Sequence, residues 1–406
     1  MSYPGSNTTD TLNGLFKEVY GDDLKDLIPD GLRLMKNIDF NKAKLLGKFF
    51  HQPVILGLEH GVTFAVSGDG AFNLVDAVPG QIQDATVQGT QLLLRSVMGQ
   101  TEIFRSEDAP KSAFKQATKY LVQNMLKSIM KKLEIELMYG QVGYGVVAST
   151  ATNVVTIVDA EWAPGIWGGA EKMPVEIRSS TGLVSRGLAS ITAVSFDNKS
   201  ITLDTLPVGT VAGDVIWHKG AYGKEFAGLH KIITNTGILF GIDAAQYTLF
   251  KGNTYSAGNA ALSQAKLQNA VARAVEKGLD SKVMVLVNPN VWSSLLNEQA
   301  ALRMYDSSYS TEQMENGAKA VRFHGQNGEI EVVSSIYCKQ GFAYIVCMED
   351  MVRIGSTDVT FKRPGKADEF FRDLDNAAGV ELRAFTDQAL FCPAPGKNVL
   401  VTNITL

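Results

Sequence analysis

The spacing of apolar residues changes several times along the chain, and each change predicts a different kind of element. Over residues 1–50, Leu12, Leu15, Phe16 and Val19 share one helical stripe. Leu24, Leu27 and Ile28 begin another, which Pro29 interrupts. Neither stripe could cover its apolar face alone, so residues 1–50 read as an arm that lies on another surface. Residues 51–106 shift to strand-like spacing, with 53–58 and 62–66 flanking the turn Glu59-His60-Gly61 and 91–95 and 102–105 extended again. Glycines and prolines punctuate the section between, and it has little apolar content with which to build a core of its own.

A long helical pattern follows. Phe114, Ala117, Leu121, Met125, Ile129, Leu133 and Leu137 recur on one stripe from Lys111 to Tyr139, and Gly140 supplies a stop. At 1.5 Å per residue such a helix is roughly 40 Å long, a spine rather than an ordinary segment. Residues 146–222 then break into short β-runs at 154–158, 175–178, 189–196, 201–203 and 215–217, which predict a small barrel or sandwich. Residues 223–320 are mixed: a helix near 262–277 ending at Gly278, a buried strand at 283–287, and a second helix from Val291. Residues 321–406 return to strands, at 330–333, 342–347, 358–361, 380–385 and 399–404. No period of 20–50 residues runs through the chain, which argues against a solenoid or propeller.

Composition narrows the function. The 406 residues carry 38 basic and 42 acidic side chains, a balance unlike that of a chain devoted to gripping nucleic acid. No apolar run is long enough to span a membrane, and the first residues do not read as a secretory signal. The three cysteines, Cys338, Cys347 and Cys392, match no zinc spacing and sit in apolar runs, so they read as buried small hydrophobes in a reducing cytoplasm. The charge is unevenly placed. Residues 49–110 hold seven acids against two arginines, whereas the spine holds six lysines against two glutamates.

The order of these parts resembles the Hong Kong-type capsid fold of tailed phages. The segment Val283-Met-Val-Leu-Val-Asn-Pro-Asn-Val-Trp292 is similar to a strand–turn–helix joint of the axial domain in that family. The ending, from Asp373-Leu-Asp-Asn-Ala-Ala-Gly-Val-Glu-Leu-Arg383 to Phe391-Cys-Pro-Ala-Pro395 and a last strand, looks like its closing strands. The resemblance implies an α+β fold: an N-terminal arm (1–50), an extended β loop (51–106), a spine helix of the peripheral domain (107–145), an inserted β domain (146–222), an axial domain (223–320), and peripheral strands that return to the axial domain (321–406). It implies a major capsid protein of the virion, assembled in the bacterial cytoplasm into pentamers and hexamers around double-stranded DNA. Its partners would be itself, a separate scaffolding protein, a portal and a decoration or cement protein, with no enzymatic activity, cofactor, metal or membrane. In such a shell the extended-loop acids Glu59, Asp69, Asp76 and Asp84 would face basic surface on a neighbour. Some members of the family join subunits through an extended-loop lysine. This chain has no lysine between Lys48 and Lys111, so a non-covalent shell is expected.

The spine lysines Lys111, Lys115, Lys119, Lys127 and Lys131 have three readings: a solvated face, a contact for a neighbour's acidic loop, or a salt-sensitive contact with packaged DNA. Enzyme signatures are missing, among them a nucleophile elbow, a phosphate loop and a dinucleotide fingerprint. The five histidines lack ligand spacing, and the glycine-rich Gly140–Gly145 run reads as a helix stop and joint. Two other functions fit parts of the sequence. One is an encapsulin-like nanocompartment shell of the same fold. The other is a β-rich carbohydrate-binding or hydrolytic protein using Trp162 and Trp167 with Asp159 and Glu161.

Overall fold

The computed structural model describes residues 31–41, 49–68, 70–99, 101, 117–303, 321–362, 371–375 and 377–406. The chain divides into two compact units. The smaller unit draws on residues 1–28, 94–128 and 361–384, and the larger on 29–93, 129–360 and 385–406.

The centre of the larger unit is a six-stranded mixed sheet. Its strand order is Asn253–Ala260, Val399–Ile404, Ala343–Val346, Val283–Val287, Gly328–Ser334 and Val321–Gly325. Successive side chains on a strand point to opposite faces, and here both faces are buried. Val285, Val287, Val332, Ile345, Val399 and Val401 enter one core with Leu267, Ala270, Val271, Val291 and Leu295 of the helices Gln264–Val275 and Pro289–Arg303. Leu286, Val333, Tyr344, Val346 and Leu400 enter a second core on the other face. Burial on both faces explains why residues 283–287 are apolar throughout rather than alternating. The helix Gln264–Val275 is opened by Ser263, whose hydroxyl accepts the Lys266 N–H. The chain leaves its last turn through Gly278, at φ +90°.

Residues 145–218 close into a six-stranded barrel, ordered Val215–His218, Gly145–Ala151, Val154–Ile157, Ser200–Leu203, Ser185–Ser195 and Pro174–Arg178, the last pairing with the first. Val147, Val155, Ile157, Val175, Ile177, Ile191, Ile201, Leu203 and Ile216 are among its buried apolar side chains. The barrel is entered and left side by side, because Gly145 is the register partner of Ile216.

A hairpin of Phe50–Gly57 and Gln81–Val87 projects from the same unit. Here the sequence reading needs a correction: residues 62–66, expected as a strand, make no ladder among the described residues. The strand 50–57 reaches past them to 81–87, which leaves residues 58–80 as an excursion at the hairpin's far end. The strand Val352–Thr360 pairs with Gly379–Phe391 on one side and with the two-residue strand Phe40–Asn41 on the other. In the smaller unit Gly379–Phe391 continues against Phe371–Asp373, and Glu381 takes the guanidinium groups of both Arg95 (2.5 Å) and Arg383.

The helix Ala117–Tyr139 occupies the described part of the expected spine. Its end is unusual for a surface helix. Every residue from 133 to 140 is buried, Glu134 and Glu136 included. Gly140 is required there, since a Cβ would stand 2.2 Å from the carbonyl oxygen of Phe226 as the backbone of Gly228 crosses it. Gln141 (φ 67°) and Gly143 (φ 100°) then turn the chain into the barrel.

Candidate subunit interface and the root of the barrel

Eight of the exposed large apolar side chains among the described residues lie on the hairpin excursion. Phe64 is 92% exposed, Leu74 79%, Val66 76% and Leu58 74%, with Val62, Phe72, Val75 and Val78 also in solvent. His60 N–H donates to the Val78 carbonyl (3.1 Å) and Val75 N–H to the Thr63 hydroxyl (2.9 Å), so the excursion folds back on itself without forming a core. Monomeric proteins rarely leave a contiguous apolar patch of this kind uncovered.

Glu59 and Asp76 lie exposed on this excursion, beside those apolar side chains. Asp84 stands on the hairpin strand and is engaged within it: its Oδ2 lies 2.5 Å from His51 Nδ1. Asp69 falls outside the described residues. The spine lysines are equally uneven. Lys111 and Lys115 lie outside the described residues, and only the backbone of Lys119 is described, as helix. Lys127 is exposed. Lys131 is half-buried, and its amine donates to the carbonyl of Gly168 in the barrel's cross-connection at 2.5 Å. Burial pushes that amine down to about 8, with Glu171 opposing. Lys131 is thus committed within its own chain, and the row does not present five equivalent cations.

The neighbouring Lys132 also turns inward, with its amine 4.4 Å from the centroid of the Tyr144 ring. On the other side of the root, buried Lys339 reaches Glu161 Oε2 (2.5 Å) and the Gly143 carbonyl (3.2 Å), above the ring of Tyr139. The same helix end supports residues before the hairpin. Glu134 Oε1 accepts the N–H groups of Arg33 (2.7 Å) and Leu34 (2.8 Å), and Oε2 that of Met35 (2.9 Å). These are orphan donors at the start of the helix Leu34–Asn37. Burial raises the Glu134 carboxyl, while the three amides and Arg353 offset part of that rise. Arg353 in turn donates to the carbonyl of Ile38 (2.9 Å), to Gln388 (3.1 Å) and to Asp358 (3.3 Å). Sequence reading missed Glu134, Glu136, Lys339 and Arg353. For the two glutamates a signal existed: they alternate with Leu133, Ile135 and Leu137 where the helix has no polar face left.

The carbohydrate reading fails on geometry. Trp162 and Trp167 stack on each other at 6.1 Å and are buried, so neither ring offers a platform to a sugar. Asp159 pairs with Lys199 (3.2 Å) and Glu161 with Lys339, which separates the two carboxylates into different ion pairs. All three cysteines are buried, and burial lifts the thiol of Cys392 to about 12, so it is unreactive. Among the described residues no group of three or more His, Cys, Asp or Glu side chains could hold a metal ion, and no helix is long and apolar enough to cross a membrane.

No family model matches the chain, and no curated protein is similar to it in sequence. Solved structures are similar to it in fold over nearly its whole length. The capsid asymmetric unit of cyanophage A-1(L) matches 98% of this chain and 100% of its own at 15% identity, with a TM-score of 0.58. The capsid of a native GTA particle matches 98% of this chain and 99% of its own at 8% identity, with a TM-score of 0.54. The capsid of cyanophage P-SCSP1u matches 99% of this chain and 96% of its own at 8% identity, with a TM-score of 0.51. The chain therefore has the fold of phage capsid subunits.

Proposed function

We propose that this chain is the major capsid protein of a tailed phage, a structural subunit that assembles with copies of itself into pentamers and hexamers of a shell around double-stranded DNA. The observation that carries the reading is the excursion at residues 58–80: a chain with a capsid-subunit fold presents an apolar surface that its own core does not cover. In water that surface favours burial, at roughly 25 cal/mol per Å² of apolar area removed. A second copy is the natural cover, because a shell needs head-to-tail contacts between unlike patches of identical chains. The acids Glu59 and Asp76 at its margin would set register and orientation against basic residues of the neighbour, of which Lys127 is the described candidate. In this reading the protein has no enzymatic role, resides in the virion after assembly in the host cytoplasm, and works with scaffolding, portal and decoration proteins.

Electron microscopy of the purified protein, with and without material from its native host, tests the proposal. Shells, sheets or rings of five and six are expected, with DNA inside native particles. Native particles filled with a cargo enzyme would instead favour the nanocompartment reading. A chain that stays monomeric with its scaffolding partner present would remove both.

A further inference from the structure

The root of the barrel contains a second arrangement that the assembly reading does not use. Four segments meet there: the end of the long helix, the turn into the barrel, the last barrel strand and the segment that follows it. Tyr144 N–H donates to the Ile216 carbonyl (2.8 Å), Gly228 N–H to the Gly140 carbonyl (3.0 Å), and Gln141 N–H to Glu225 Oε2 (3.3 Å). Between these segments lie the buried Glu136 and Glu225 and the half-buried Lys132, whose amine is itself buried, and the three act on one another electrostatically. Glu136 Oε1 accepts the N–H of Phe226 at 3.2 Å. The amine of Lys132, Oε1 of Glu225, the hydroxyl of Tyr144 and the indole N–H of Trp217 are buried with no hydrogen-bond partner among the described residues. Native proteins rarely leave several such atoms in one place, because a buried polar group without a partner has given up its hydrogen bonds to water.

We propose that Lys132, Glu136 and Glu225 form a proton-operated latch that fastens the barrel root to the long helix, closed while Glu136 holds a proton and loosened when that proton leaves for solvent. With Glu136 protonated, one ammonium faces one carboxylate and the buried cluster is neutral. Loss of the proton leaves two carboxylates against one ammonium in a largely buried region. The surplus charge then draws water between the helix and the residues around Glu225. The surrounding ionisable groups do not offset it. His218, beside Lys132, is held by burial, and then by that lysine, down to about 4 and is neutral. The amine of Lys131 is taken by Gly168. Arg178 lies over Tyr222, which meets Trp217 edge-on. Burial and the neighbouring Glu225 raise Glu136 to about 8, and burial lowers Lys132 to about 8, so these two groups titrate together in that range beside a Glu225 that burial also raises.

Hydrogen exchange on the full chain from pH 6.5 to 9.5, corrected for intrinsic rates, tests the latch. Protection over residues 140–147 and 214–228 should fall about tenfold per pH unit as pH rises toward a midpoint near 8 and level off beyond it, while residues 283–287 stay unchanged. Glu136→Gln keeps an acceptor for Phe226 N–H but has no proton to lose, and should abolish the step. Glu225→Gln removes the charge that helps to raise Glu136, and should move the midpoint to lower pH. Protection independent of pH in the native chain overturns the proposal. So does a step that survives Glu136→Gln or, should that variant fail to fold, a midpoint that Glu225→Gln leaves in place.

Discussion

Leu34 donates its backbone N–H to Glu134 Oε1 at 2.8 Å, joining two residues a hundred positions apart. Arg33 and Met35 donate to the same carboxylate, so one buried side chain serves three backbone donors at the start of a one-turn helix. That helix could not hold itself, because one turn fixes several dihedrals for a single hydrogen bond. Glu134→Ala removes the acceptor and leaves three buried donors unmet, which should cost on the order of 3–5 kcal/mol in denaturant unfolding. Glu134→Gln keeps one oxygen but sets an amide NH2 against the remaining donors. Its loss should lie between wild type and Glu134→Ala, and equal stability of all three would remove the cap from the account.

The hairpin excursion should matter to assembly and not to folding. Phe64→Asp combined with Leu74→Asp alters residues exposed in the isolated chain, so the unfolding midpoint should stay within about 0.5 kcal/mol of wild type. Sedimentation should show those variants arrested as small species under conditions where the parent assembles. Normal shells from the double variant would refute the role given to the excursion.

Lys127 and Lys131 separate by their environments. Lys131→Met loses the bond to the Gly168 carbonyl and should lower stability by about 1 kcal/mol with no dependence on salt. Lys127→Glu should weaken assembly, most visibly at low salt, where exposed charges are least screened. The reverse pattern would show that the helix uses its lysines otherwise.

The residues 49–110 carry no lysine. Mature shells run on a denaturing gel should therefore give one band at the single-chain mass of 43.9 kDa. A ladder of higher bands would require a crosslink from elsewhere in the chain.

His230 gives a pH dependence of known sign. It is half-buried against Tyr344 (2.8 Å), and loss of solvent, followed by Lys339, pushes it down to about 4 from an ordinary 6.5. The unfolded chain binds the proton first as pH falls. The stabilisation is therefore full above 6.5 and is lost between 6.5 and about 4, amounting to on the order of 2–3 kcal/mol. His230→Gln should flatten that part of the stability profile measured from pH 7 to 4. An unchanged slope would assign the acid sensitivity to other groups.

The sheet and the helices were readable because their spacing is a local property. Residues 283–287 and 399–404 were placed as observed, since a run buried on both faces is apolar without alternation. The elements that went unread are fixed by distant partners. Phe40–Asn41 is a strand only because Arg353 and Ile354 lie beside it, and Asn253–Ala260, polar over most of its length, is held by Val399–Ile404. Residues 62–66 misled for the opposite reason: β-branched and apolar, they have strand composition and no ladder partner among the described residues. Of the surface considered for assembly, the exposed apolar excursion was only partly foreseen, as a section lacking a core. The burial of Lys131 was invisible, because a lysine that turns inward has the same spacing as one that faces solvent.

The register pair of Gly145 and Ile216 has a further consequence. Both threads of the barrel pass its root as adjacent strands, about 4.8 Å apart, so the remainder of the chain can be joined across the gap without rethreading any other strand. The barrel thus begins and ends at one place, and a shortened chain joined there would keep the strands on either side in their present order. Its turns at Leu183 and Val208 stand in solvent, so changes of sequence there meet little of the barrel's core. Diversity in such a protein belongs at those turns, and engineered peptides for display belong there too.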